Sequence, residues 1–350
     1  MELKKLQIGE LTARIPVIQG GMGVGISLHR LAGAVASEGG IGIISTAQIG
    51  FDRPGFDEDP IGTNLRAIRE EVEAARKLAN GGIIGVNIMV ATRKYEEYVK
   101  AAIDAGVDLI ISGAGLPVSL PEIAGNAKTK LAPIVSSLKS AQVICKYWKK
   151  KYDRTPDLVV IEGPEAGGHL GFTMEQLQNR EALDYDTEIK KIVEYVHVCG
   201  EEAGKNIPVV VAGGIYTRED AEKACALGAD GVQMATRFVT TYECDAPDSY
   251  KEAYIRAKKE DIILVKSPVG MPGRAIRNRF VERAAQGRIP HGACHLCVST
   301  CNPAQTPYCI TDALVNAARG NIDDALLFCG TNACRADRLV HVHDIVQEFS

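Results

Sequence analysis

Two short stretches of this chain concentrate side chains able to do chemistry. The first, "HGACHLCVSTCNPAQTPYC" (291–309), holds Cys294, Cys297, Cys301 and Cys309 in the spacing C-x2-C-x3-C-x7-C, and Cys329 and Cys334 follow it. The second, "IEGPEAGGHLGF" (161–172), sets His169 directly behind Gly167-Gly168. A free imidazole titrates near ~6.5, so His169 can take or give a proton at neutral pH. The two glycines would let the backbone pass a flat ligand and project the ring over it. The competing reading is a loop histidine bonded to a backbone carbonyl.

The thiols have three readings. Four cysteines so close together suit the corners of a [4Fe–4S] cube, although their spacing is not the ferredoxin run. Structural zinc usually takes two C-x2-C pairs separated by a longer loop, and this stretch has one. The third reading is packing without metal. Cys309 precedes an apparent helix whose N-terminus would stabilise a thiolate. His291 and His295 lie in the same stretch as ligands or bystanders.

A third group reads as an anion site. Gly213-Gly214 follows the apolar run "PVVVA", and Gln233, Met234, Ala235 and Thr236 end another, "GVQMAT". Backbone N–H groups beside glycines can approach a phosphate closely, with the Thr236 hydroxyl opposite. The plainer reading of the glycine pair is a tight turn. Arg237 is the one basic residue nearby, so backbone dipoles would do most of the holding.

These groups need a scaffold, and the apolar runs supply one. Strands are expected at 15–19, 41–45, 83–89, 108–112, 132–136, 157–162, 208–213 and 231–235. They are near-continuous β-branched runs, as in parallel strands covered on both faces. Helical stretches separate most of them, one starting at Ser27 and stopping at Gly39-Gly40, another capped by Thr217 and Asp220. The pattern predicts an α/β fold, a (β/α)8 TIM barrel, with its chemistry at the C-terminal ends of the strands. A doubly wound sheet is the competitor. It would want an acidic residue ending the second strand, where "IGIIST" ends in Ser and Thr. The expected division is a barrel over 1–240 and a helical, cysteine-rich C-terminal extension over 241–350, its cysteines at 294–334. Helices are expected near 248–259, 275–285 and 311–318.

Composition agrees with that class. The 350 residues include 35 glycines and 5% aromatics, which suits tight strand-to-helix turns. With a net charge of -4 and both signs interspersed, no nucleic-acid footprint or basic membrane face stands out. The N-terminal residues have no apolar signal core, and the apolar runs fall far short of the ~20 residues a membrane helix needs. A cytoplasmic protein with reduced cysteines is expected.

"QGGMG", "GVNIM", "EGPEAGGHLGF", "AGGI", "GADGVQMATRF" and "KSPVGMPGRAIRN" occur in that order over roughly residues 10–285. Together they resemble the nitronate monooxygenase (2-nitropropane dioxygenase-like) family of flavin barrels, which also contains the type II enoyl-ACP reductases. The resemblance implies FMN on the strand tops. Gly21 and Met22 would approach its ring, Asn87 would hydrogen-bond it, Gly167 and Gly214 would pack closely, and Gln233 to Thr236 would take the phosphate. His169 matches the family's catalytic histidine. Glu162 departs from the pattern, standing where many members have Gln. A carboxylate there would repel an anionic reduced ring unless protonated or paired.

The implied activity is oxidation of alkyl nitronates through flavin, with His169 as general base. The alternative is an enoyl-thioester reductase fed by NAD(P)H, and a further one is a non-catalytic flavin- or metal-binding module. The metal ligands would be Cys294, Cys297, Cys301 and Cys309, holding one [4Fe–4S] cluster or zinc. The expected partners are a small-molecule substrate (a nitronate or an enoyl thioester) and a second copy of the chain as a homodimer, without nucleic acid or membrane.

Overall fold

Parallel strands at Val17–Gln19, Ile41–Ser45, Ile83–Met89, Leu109–Gly113, Lys130–Val135, Val159–Glu162, Val209–Ala212 and Gly231–Met234 close into one barrel. This is seen in a computed structural model that describes residues 3–350. Each strand pairs with the next in sequence, and the last returns to the first with Val232 opposite Val17. The chain therefore forms a (β/α)8 barrel.

Alternation along the strands builds two cores. Ile18, Ile41, Ile43, Leu109, Ile111, Val160 and Val210 fill the interior. Val17, Ile44, Val86, Ile110, Val159 and Val209 face the surrounding helices. A hairpin of Leu6–Ile8 and Leu11–Ala13 adds Leu6, Ile8 and Ala13 to the interior cluster. Gly42 shows how tightly the layers meet: a Cβ there would stand 1.9 Å from the carbonyl oxygen of Ala32 on the neighbouring helix.

That helix spans His29–Ser37, not from Ser27. Its cap comes from far away, because the Asp245 carboxylate accepts from the N–H groups of Leu28 (2.8 Å) and Leu31 (3.2 Å). Ser27 instead accepts from the Met22 N–H at 2.8 Å, holding the loop after the first strand. The Arg218–Ala226 helix does begin at Thr217, with Asp220 accepting from the Thr217 N–H at 2.9 Å.

After the barrel, helices form at Asp248–Arg256, Arg279–Gln286 and Ile310–Ala318. The expected helix at 275–285 is thus displaced. Residues 275 and 276 end a strand, Pro272–Ile276, and Asn278 caps the helix by accepting from the Val281 N–H. Pro272–Ile276 pairs antiparallel with Ile262–Lys266 on one side and with Gly168–His169 on the other. The extension is therefore partly β, and its sheet reaches over the barrel mouth. No helix among the described residues is long and apolar enough to cross a membrane.

Candidate active site

A cavity opens at the C-terminal ends of the barrel strands. His169 lines it together with Gly21, Met22, Asn87, Glu162, Gly167, Gly213, Gly214, Gln233, Met234, Ala235 and Thr236. Every barrel residue nominated from the sequence thus reaches one wall. Of the four cysteines, only Cys297 does.

His169 sits on the short strand that the extension recruits, directly opposite Gly273. Its Nε2 lies 2.7 Å from Ser267 Oγ, and its ring meets Phe328 edge-on at 4.9 Å. Burial lowers its pKa to about 4, well below the ordinary 6.5 expected from sequence. The imidazole is therefore neutral at pH 7. The loop leading to it is fixed by Arg274, a buried guanidinium that donates to the carbonyls of Pro164 (2.8 Å) and Ala166.

Glu162 ends the sixth barrel strand, and the surface it keeps belongs to the cavity wall. Burial raises its pKa to about 8, because leaving water disfavours the carboxylate. At neutral pH it is a carboxylic acid. That removes the charge conflict with a reduced flavin ring which the sequence raised.

At the seventh and eighth strands, Gly213 and Gly214 take φ of +93° and +79°. The Gly213 Cβ position would meet the Ala166 N–H, and that of Gly214 would meet Glu165 Oε2 at 2.3 Å. The close approach is thus to the 163–166 loop, in line with the close packing expected of Gly214. Arg237 turns away, pairing with Glu348 and donating to the Tyr216 carbonyl at 2.6 Å. Thr236 Oγ1 accepts from the Gly330 N–H at 2.9 Å.

Three buried side-chain polar atoms lack a hydrogen-bond partner among the described residues: Gln233 Oε1, Arg93 Nε and His295 Nδ1. Unpaired buried groups cost ~1–3 kcal/mol each, so native structures rarely leave them without an occupant to meet. Gln233 is on this wall, and Gly168 nearby has open space where a Cβ would be. An aligned carboxamide, glycine rims and a carboxylic acid fit a flat, hydrogen-bonding ring with a phosphate tail.

The profile of the nitronate monooxygenase family matches residues 4–350. The chain belongs to that family. It is similar to a probable nitronate monooxygenase of Staphylococcus saprophyticus, with 27% identity over 81% of this chain and 81% of the relative. A Mycobacterium tuberculosis protein named as a hydroxy-methyl-oxo-octahydro-indene-carboxyl-CoA dehydrogenase is 28% identical over 79% of this chain and 67% of its own length. Among solved structures, FabK from Thermotoga maritima aligns with a TM-score of 0.73 and 27% identity, over 96% of this chain and 94% of that one. As a nitronate monooxygenase family member the chain is an FMN-dependent oxidoreductase.

Several wall residues of this family member were not placed at the cavity by the sequence. Phe328, Cys329, Gly330 and Asn332 close the cavity from the extension. Asn332 donates to the Gly214 carbonyl at 2.7 Å, and the Cys329 N–H donates to the Arg274 carbonyl. Ser267 lies within "KSPVGMPGRAIRN", so that motif marked its segment without marking its contact with His169. The cysteine stretch is pinned to the mouth elsewhere. The Arg93 N–H donates to the Cys297 carbonyl at 3.0 Å, and Ser299 N–H to the Ala91 carbonyl at 2.9 Å. Cys309 opens the Ile310–Ala318 helix and lies with His295 and Asp312 in a second cavity.

Proposed function

We propose that this protein oxidises alkyl nitronates and their parent nitroalkanes through FMN, with His169 accepting the α-proton that a neutral nitroalkane must lose. The observation that carries the reading is a neutral imidazole on the wall of the flavin cavity, its Nε2 tied to Ser267. In the bare cavity such a base is weak. An anionic substrate beside it would raise its affinity for a proton by opposite charge, so proton transfer would be coupled to substrate occupancy.

Bound FMN would supply a two-electron acceptor. Gly21, Met22 and Asn87 would border its ring, Gln233 would hydrogen-bond it, and the backbone of Gly213, Gly214, Ala235 and Thr236 would receive the phosphate. Glu162, as the neutral acid, would donate a hydrogen bond rather than repel the reduced ring. The barrel to residue 240 would be the cofactor-binding unit and 241–350 its cover. All ten cysteines are unpaired, which suits a reducing cytoplasm. A metal centre on Cys294, Cys297, Cys301 and Cys309 and assembly as a homodimer belong to the same reading.

The test is anaerobic mixing of FMN-loaded protein with an alkyl nitronate. Bleaching of the flavin band within seconds, reversed by oxygen, supports the reading, and an unchanged spectrum overturns it. A second reading, reduction of an enoyl thioester with NAD(P)H, is favoured by the apolar part of the wall: Ile134, Val269, Ile310 and Leu314. The carboxyl-CoA dehydrogenase relative points the same way. Bleaching by NAD(P)H, followed by recovery on adding an enoyl thioester, would select it.

A further inference from the structure

His295 Nδ1 is one of the three buried polar atoms without a hydrogen-bond partner among the described residues, and it borders the second cavity rather than the flavin cavity. Its ring is fixed from two sides. The face stacks on Phe56, with centroids 5.1 Å apart and planes 17° from parallel. Nε2 meets Asp57 Oδ1 at 3.3 Å. A carboxylate only accepts, so Nε2 carries the proton and Nδ1 is left as a lone pair. That atom stands 3.5 Å from Asp312 Oδ1, a second acceptor. Two acceptors held this close repel unless a cation joins them.

A thiol completes the group. Cys309 Sγ, His295 Nδ1 and an Asp312 carboxylate oxygen lie within 4.8 Å of one another, and no other three such side chains do so among the described residues. Cys309 is the N-cap of the Ile310–Ala318 helix, and Asp312 follows three residues on, one turn away on the same face. Gln48, on the loop after the second barrel strand, donates to the His295 carbonyl at 3.3 Å and to Thr311 Oγ1 at 3.1 Å. One barrel side chain thus holds both halves of the group.

We propose that His295, Cys309 and Asp312 bind one zinc ion through Nδ1, Sγ and a carboxylate oxygen, with water in the fourth position. Zinc takes nitrogen, sulfur and oxygen ligands in a tetrahedron, whose N and O corners stand about 3.3 Å apart at bond lengths of about 2.0–2.1 Å. The 3.5 Å between Nδ1 and Oδ1 is close to that edge. One thiolate and one carboxylate balance the ion's two charges, and the Cys309 proton leaves to solvent. Asp57 behind the imidazole is the kind of carboxylate partner that zinc-bound histidines commonly have. Asp312 is 34% exposed, which leaves water a route to the open corner. The ion ties the cysteine stretch to a helix whose Ile310, Thr311 and Leu314 line the flavin cavity. Cys309 can serve this ion or a four-cysteine centre but not both, and of those four thiols it alone belongs to a close ligand group among the described residues. The other rival is a second proton on His295, which would make Nδ1 and Asp312 an ion pair.

The experiment measures zinc, iron and acid-labile sulfide in anaerobically purified full-length protein, then titrates the metal-free protein with zinc and with cobalt(II). Wild type is compared with Cys309→Ser, Asp312→Asn, Asp57→Ala and Cys301→Ser, each checked for its fold by circular dichroism. The expected result is about one zinc per chain, with a thiolate-to-cobalt charge-transfer band in the near ultraviolet that Cys309→Ser abolishes. Zinc affinity should fall at least about tenfold in Asp312→Asn and in Asp57→Ala, and stay within about twofold of wild type in Cys301→Ser. Asp57 is exposed and outside the ligand set, so its variant keeps the test decisive if a ligand variant fails to fold. No zinc binding by folded, metal-free wild type would overturn the site in favour of the protonated imidazole. Zinc, or iron with sulfide, that is lost in Cys301→Ser and kept in Asp312→Asn would overturn it in favour of the four-cysteine centre. Either failure leaves the flavin reading standing, because the site does not rest on it.

Discussion

Replacing Glu162 by Gln tests the electrostatics of the flavin site without altering its shape. Burial moves this carboxyl from the ordinary 4.5 to about 8. Each pH unit is ~1.4 kcal/mol, so the difference between neutral and ionised states corresponds to a ceiling of about 5 kcal/mol. The sign follows from linkage. The folded pKa lies above the unfolded one, so the contribution is fully present below about pH 4.5 and is lost as pH rises towards about 8. The assay is urea unfolding of flavin-free protein at a series of pH values from about 5 to 9. Wild type should lose up to ~1.4 kcal/mol per pH unit across that window relative to Glu162→Gln, and the difference between the two should level off above about pH 8. The same variant should bind reduced FMN equally well on either side of pH 8, where wild type weakens as its carboxylate appears. Stability curves for wild type and variant that run parallel across the whole range would refute the reasoning, because Glu162 would then be ionised throughout.

Three further substitutions separate chemistry from scaffold. His169→Ala should keep FMN and lose about 10²–10⁴-fold in turnover, read by steady-state kinetics with flavin content as control; wild-type turnover would make His169 a structural residue. Gly214→Ala should weaken FMN binding at least about tenfold, because φ is +79° and a Cβ would meet Glu165 at 2.3 Å. The double variant with Glu165→Ala should stay weak, since backbone strain remains; restored binding would place the fault in the side-chain clash alone. Arg274→Met removes two hydrogen bonds from a buried charge and strands the carbonyls of Pro164 and Ala166, costing about 3 kcal/mol or more in denaturant unfolding. Turnover should fall with it, because His169 depends on the pairing of its strand with Gly273 and Arg274.

The barrel was legible because its strands are covered on both faces, so each is a local run of β-branched residues bounded by glycine. The expected ranges and the observed strands coincide to within one or two residues, and the site residues at their ends followed from the fold rule together with the family resemblance of the motifs there. What escaped was information carried between distant parts of the chain. Asp245 caps a helix 217 residues away, and no window of sequence around Leu28 contains it. "GRAIRN" looks helical by composition, yet its first half forms a strand because Gly168–His169 and Ile262–Lys266 offer partners on either side. The same sheet delivers Ser267 and Phe328 to His169, and the burial that follows takes the imidazole from an even-handed acid and base to a neutral group. Sequence placed the residue and could not place its pKa.

The cysteines show the same limit from the other side. Their spacing presents Cys294, Cys297, Cys301 and Cys309 as equals, but the fold distributes them unequally: Cys297 faces the flavin cavity, Cys294 is exposed, and Cys309 opens a helix beside His295 and Asp312.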